Sequence, residues 1–348
     1  MEKFIQLHFL TSFPPANLNR DDLGRPKTAK MGGVDRLRVS SQSLKRAWRT
    51  SDIFKEALSG SIGIRTKRFG RTVDEKLVKG GIDEKKASEW AKKIAACFGA
   101  LTTDKKDNPL DIKQLVHISP EEEKAVDDLI AVLIKEKREP EDTELTLLRR
   151  PEHAVDIALF GRMLADSPSY NVEAACQVAH AISVHPVTIE DDYFTAVDDL
   201  NNGADDMGAA HLGETGFASA LFYEYVCIDT EQLIKNLGGD EALAKKTLSA
   251  LLQAAAMVTP TGKQNSFASR AFASYIMVEK GKSQPRSLSV AFLKPIRGEN
   301  YGEDAYKALE KACKQIDTVY DITDVKRKML NALTGEGTFA DLKQFITE

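Results

Sequence analysis

Hydrophobic and polar residues alternate at the start of the chain. Ile5, Leu7 and Phe9 share one side of "MEKFIQLHFL", which predicts a strand over residues 3–13. The polar stretch "PPANLNRDDLGRPKTAKMGG" follows, rich in Pro, Gly and Asn and longer than most connections in a compact domain. "RLRVS" predicts a second, short strand. The period then changes. In "SSQSLKRAWRTSDIFKEAL" the apolar positions fall at Leu44, Ala47, Trp48, Ile53, Phe54, Ala57 and Leu58, a helical stripe.

Residues 60–150 are rich in Lys and Glu and carry mainly helical patterns, clearest in "DEKKASEWAKKIAACFGAL" and "SPEEEKAVDDLIAVLIKEK". The latter opens on Ser119-Pro120, continues with acids and ends in bases, the order that capping and the helix dipole favour. "NVEAACQVAHAISVH" predicts a further helix. Residues 186–220 are rich in Gly and acid, with short apolar pieces around a long loop, a pattern that suits a projecting arm. "SALFYEYVCID", "FASYIMVEK" and "LSVAFLKPI" predict strands, "DEALAKKTLSALLQAAAMV" a buried helix, and residues 303–346 more helix. Strands interleaved with helices, plus one helical insertion, indicate an α+β fold.

Composition adds limits. The 348 residues, 42% hydrophobic and 29% charged, suit an ordinary globular protein of about two domains. No apolar run is long enough to span a membrane, and the N-terminus lacks the layout of a signal peptide. Cys97, Cys176, Cys227 and Cys313 lie far apart, as reduced thiols in a cytoplasmic protein would. The net charge of −4 argues against a general polycation, yet its distribution is uneven. Residues 20–49 hold nine Lys/Arg against three Asp, a window of +6, so the remainder carries −10. A local positive field on an acidic chain points to a dedicated anion site.

That window holds the most informative chemistry. Ser40 or Ser41 is a good N-cap, and a helix N-terminus offers unpaired N–H donors to a phosphate. With Leu44 and Trp48 inward, Lys45 and Arg49 share the adjoining stripe. Two readings stand side by side: a cationic rail for a polyanion backbone, and a capped amphipathic helix with solvated charges. "TPTGKQNSF" is a second candidate, because Gly262 allows a tight turn that exposes Lys263 and Gln264. It is not a P-loop, since Lys263 is followed by Gln.

Several enzyme templates are missing. His180 and His185 are five apart and share no helical face as zinc ligands would. There is no G-x-S-x-G elbow, no S-x-x-K at Ser41 and no dinucleotide fingerprint. Asp191-Asp192 and Asp198-Asp199 suit solvated acids better than a metal site. Asp21 and Asp22 remain as candidate general acids or bases beside the basic cluster.

Eight segments carry a resemblance: "LNRDD", the glycines at 32–33, "RVSSQSLKRAWR", "DIALFGRM", "HAISVHP", "YFTAVDDL", "AHLGETGFASALFYEY" and "GKQNSFA". In this order the chain, to about residue 268, resembles the backbone subunit (CasC family, RAMP superfamily) of Cascade, the type I-E CRISPR surveillance complex. The helical block and the C-terminal third match only in general pattern. The resemblance implies an RRM-like (ferredoxin-like) palm over 1–59, 179–189 and 219–348, helical fingers over 60–178 and a thumb over 190–218. It implies a non-catalytic, cofactor-free, metal-free protein that polymerises along the spacer of a crRNA, whose bases pair with a target DNA strand. The implied partners are crRNA, that DNA strand, further copies of the chain and other Cascade subunits, with no membrane. Family RNA contacts fall on Arg20, Lys27, Ser40, Gln42, Lys45, Arg46 and Arg49, with Lys263 and Gln264 beside them. Contacts near the thumb fall on Met163, Tyr193, Phe194 and Thr195. In the related type III subunits a loop Asp cuts RNA, which makes an endonuclease using Asp21 or Asp22 the rival expectation.

Overall fold

The computed structural model describes residues 1–196 and 211–348. In chain order the first half forms β1 (Phe4–Ala16), β2 (Thr28–Met31), β3 (Val34–Val39), α1 (Ser41–Thr50), α2 (Asp52–Ala57), β4 (Ile64–Thr66), α3 (Phe69–Lys79), α4 (Glu84–Ala96), β5 (Val116–Ile118), α5 (Pro120–Glu136), α6 (Val155–Phe160), β6 (Cys176–Val178) and β7 (Ala181–Ser183). The second half adds β8 (Glu190–Ala196), β9 (His211–Asp229), α7 (Thr230–Asn236), α8 (Glu241–Met257), α9 (Gln264–Phe267), β10 (Tyr275–Gly281), α10 (Tyr301–Val319), β11 (Lys326–Asn331) and α11 (Phe339–Thr347). The fold is α+β, as its pattern of elements predicts.

The chain divides into two compact units, one of residues 1–54, 178–227 and 248–348, the other of 55–177 and 228–247. The first is built on a large sheet in the order β11-β10-β1-β9-β7-β3-β2, with β8 pairing β9 off that path. The β1–β10, β10–β11, β2–β3, β3–β7, β7–β9 and β8–β9 pairs are antiparallel. On β1, Ile5, Leu7 and Phe9 are fully buried, but so are His8 and Leu10 on the opposite face. The sheet is therefore covered on both sides. One cover is α10, whose Ala305, Leu309 and Cys313 pack with Leu221, Tyr223, Tyr275 and Met277.

The second unit is mainly helical. Phe69, Val73 and Leu77 of α3, Trp90, Ala91 and Ile94 of α4, and Ile130 and Leu133 of α5 form its core. The expected cap of α5 is a full capping box: Ser119 Oγ accepts from Glu122 N at 3.1 Å, and Glu122 Oε2 accepts from Ser119 N at 2.9 Å. Glu122 Oε2 also meets Arg162 at 2.7 Å, and both side chains are almost wholly buried.

Several elements differ from expectation. The helix predicted over "NVEAACQVAHAISVH" is instead β6 and β7; alternation at Ala181 and Ser183, both buried, outweighs the helical spacing. "LSVAFLKPI" is a single 3₁₀ turn at Ser289–Phe292, and β11 interrupts the expected C-terminal helices. The stripe through α1 and α2 is broken at Ser51, whose Oγ donates to Trp48 O at 2.7 Å and accepts from Phe54 N at 3.2 Å. One serine ends the first helix and starts the second.

Candidate nucleic-acid interface

The loop between β1 and β2 is fixed by its Asn and Asp residues. Buried Asn17 donates through Nδ2 to Gly24 O and Gly216 O, both at 2.9 Å. Asn19 accepts the Ser40 N–H at Oδ1 (2.9 Å) and the Lys27 N–H at its carbonyl (2.8 Å). Asp21 Oδ1 accepts from Leu23 N and Arg25 N, both at 2.9 Å, an Asx turn that closes the loop tip. These bonds set the loop beside the start of α1.

Ser40 is the N-cap of α1, accepting from Ser43 N at 3.4 Å. The N–H groups of Ser41 and Gln42 have no partner among the described residues and stay available to an anion. Ser43, Arg46, Ala47 and Thr50, on one face of α1, line a cavity of about 590 Å³ with Arg20, Asp21 and Asp22 of the loop and Thr261 and Gly262 opposite. Lys45 and Arg49 lie half-buried on the adjoining stripe, while Gln42 and Arg46 are exposed. Arg20, Lys27 and Arg46 make no ion pair among the described residues.

Gly262 has a role other than the tight turn expected of it. A Cβ there would lie 2.3 Å from Leu18 O and 2.8 Å from Asn17 O, so only glycine lets the two loops approach so closely. The next residue, Lys263, takes a left-handed φ of 53° and precedes the one-turn α9. Gln264 donates through Nε2 to Pro260 O (3.1 Å) and Ser269 Oγ (3.2 Å), leaving its buried Oε1 without a partner.

The arm is rooted on the same loops. β8 and β9 pair from Glu190↔Phe217 to Ala196↔His211. Arg25 meets Asp191 at 2.9 Å, and Phe217 packs against Phe267 with ring centroids 5.9 Å apart. Every residue of β8 is exposed, Tyr193 at 66%. Phe194 pairs with Gly213, where an added Cβ would lie 2.3 Å from Cζ, so the tip of the ring occupies the space that the glycine leaves open. Thr195 continues the strand; Asp198-Asp199, and the central part of the predicted thumb, lie outside the described residues. Met163 belongs to the second unit, where it is 85% exposed at the rim of a 160 Å³ cavity next to buried Arg162 and Leu164.

The structure also withdraws one residue from the basic window. Arg36 is fully buried, donating to Ser183 O and Phe292 O at 2.9 Å and Met31 O at 3.2 Å. Arg38 donates to His180 Nδ1 at 2.9 Å, so that histidine is an edge residue with its own partner. Burial and the charges of Arg38 and Lys27 lower the His180 pKa. Among the described residues no group of three or more His, Cys, Asp or Glu is placed to hold a metal ion. No described helix is long and apolar enough to cross a membrane.

An α+β protein with a polar cavity that carries Arg20 and Arg46 and is tied to a two-stranded arm defines a class that comparison with known proteins narrows. The family model described as CT1975-like protein matches residues 5–345, and the chain belongs to this CT1975-like (Cas) family. It is similar to a solved chain of a "CRISPR RNA-guided surveillance complex, pre-nicking", with 30% identity, a TM-score of 0.85 and 99% of each chain covered. A second similar chain, from a "CRISPR RNA-guided surveillance complex", shows 25% identity and a TM-score of 0.75, again over 99% of each chain. No match was found among curated proteins.

Proposed function

We propose that this chain is a subunit of a CRISPR RNA-guided surveillance complex, and within it the non-catalytic backbone that holds the crRNA. In this reading residues 1–59, 179–189 and 219–348 are an RRM-like palm, 60–178 helical fingers and 190–218 the thumb. Copies polymerise in the cytoplasm along the crRNA spacer, beside the other Cascade subunits, and leave the bases free to pair with target DNA. Family membership and the two full-length structural likenesses support the surveillance-complex role.

One observation carries the RNA part. Arg20 and Arg46 line one cavity, and asparagine bonds tie its loop to the root of the arm and to the start of α1, where the open N–H groups lie. Such donors grip phosphates without reading bases, as a guide with variable sequence requires. On the arm, Tyr193 and Phe194 offer exposed rings for unstacking a base; Met163, in the second unit, is exposed as well.

The rival is cleavage by Asp21 or Asp22. Asp21 commits Oδ1 to two backbone N–H groups, whereas Asp22 is exposed on the cavity wall. Incubation with end-labelled single-stranded RNA and Mg²⁺, read on native and denaturing gels, separates the two. The backbone reading predicts a slow native species with intact RNA. Regular fragments, lost in Asp22→Ala, would establish the nuclease.

A further inference from the structure

The cavity beside Arg20 and Arg46 has a neighbour whose lining, Gln264 apart, lies outside the expected contacts. A second cavity of about 350 Å³ shares Ala47, Thr50 and Thr261 with it as a common wall. Its character is different. Met257, Ile53 and Phe272 supply apolar surface, and Phe272 leaves 68% of its area exposed, unusual for a phenylalanine next to a cavity. Arg270 is exposed on the same wall, as is Asp52. Gln264, whose Oε1 has no partner among the described residues, lines it too.

We infer that this second cavity is a nucleobase seat, with Phe272 as its stacking platform, for a base of the strand whose phosphates occupy the cationic cavity. The inference rests on the RNA reading above and extends it to residues outside the expected set. Three small side chains separate the two cavities, so a strand leaving the cationic one passes directly over the apolar one. The wall chemistry favours a base over a second phosphate: Ile53, Met257 and Phe272 offer a phosphate no donor, while an aromatic face accepts any base. Arg270 then meets the phosphate on the far side of that base. A platform of this kind stacks every base and reads none, which a guide-holding protein requires.

The test uses the full chain with labelled 30-nucleotide oligo(U) and oligo(A), measuring affinity at several salt concentrations. Phe272→Ala is expected to weaken both about ten-fold, the loss of one base–aromatic stack, without changing the slope against salt. Phe272→Trp is expected to restore affinity, with its indole emission quenched by either RNA against the background of buried Trp48 and Trp90. Because Phe272 is exposed, both variants should melt with the wild type. If the wild type binds RNA while Phe272→Ala binds equally well and Phe272→Trp is not quenched, the seat is refuted and the RNA reading stands. If Phe272→Ala keeps RNA affinity but loses self-association, a protein surface covers the cavity and the inference is wrong. A wild type that binds neither RNA removes the RNA reading itself, and the seat with it.

Discussion

Two arginine-rich regions of the first unit use the same side chain for opposite ends. At one end of the sheet, buried Glu279 accepts from Arg286 at 2.7 Å and from Arg327, and Asp317 meets the same two arginines at 3.0 and 2.7 Å. His8 links Glu279 to Tyr223, whose hydroxyl takes the Leu288 N–H at 3.0 Å. Burial favours the neutral acid, yet the His8 hydrogen bond and the Arg286 charge hold the Glu279 carboxyl far below its ordinary range. At the cationic cavity, Arg20 and Arg46 have no carboxylate partner among the described residues, and the nearby Asp21 is engaged with backbone. Charges matched inside a fold hold elements together; charges left unmatched at a cavity are available to a ligand.

The sharpest test of this contrast is stability. Glu279→Ala removes the buried carboxylate that Arg286 and Arg327 share, leaves both to Asp317, and is expected to cost about 3 kcal/mol in urea unfolding. Arg20→Ala with Arg46→Ala should change stability by less than about 0.5 kcal/mol per site. A large stability loss in the cavity variants would erase the distinction.

On binding the order reverses. Lys45→Glu with Arg49→Glu is expected to weaken RNA of every sequence alike and to flatten the plot of log affinity against log salt, by roughly 0.7 for each phosphate no longer neutralised. A loss confined to one sequence would mean base readout.

A third prediction concerns pH. Glu224 on β9 is buried, its Oε1 has no partner among the described residues, and burial pushes its carboxyl up to about 8 from 4.5. The folded protein therefore holds a proton that the unfolded chain releases above 4.5. Stability should fall by up to about 1.4 kcal/mol per pH unit between those values and level off above pH 8. Glu224→Gln should flatten that part of the profile, measured by urea unfolding at fixed pH; an unchanged slope would show that Glu224 ionises freely. A smaller effect than at Glu279 is expected for Ser40→Ala, which removes a long cap bond and should cost about 0.5–1 kcal/mol by the same assay.

How much of this was legible in the chain follows from how local the signals are. The caps of α1 and α5 and the β1 alternation are local, and they read true because no distant packing opposes them. Arg36 counts among the cations of the basic window; only the second cover of the sheet, with Phe292 O accepting from it, makes its face of β3 an interior. The strand pair β6 and β7 was hidden by alanines and valines that suit either period. At the site, the asparagines of "NLNRDD" announced a turn, but their bonds to Ser40 and Gly216 span 21 and 199 residues and leave no local trace. The Gly262 approach and the exposed ring of Phe272 are likewise products of the tertiary fold.

The central claim is that Arg20 and Arg46, which have no carboxylate partner among the described residues, hold RNA by its backbone. The most direct measurement is the affinity of the wild-type chain for two unrelated 30-nucleotide RNAs across a salt series. Equal affinities, falling with salt along one common slope, are the predicted result. A ten-fold or greater preference for one sequence, or binding indifferent to salt, would contradict it.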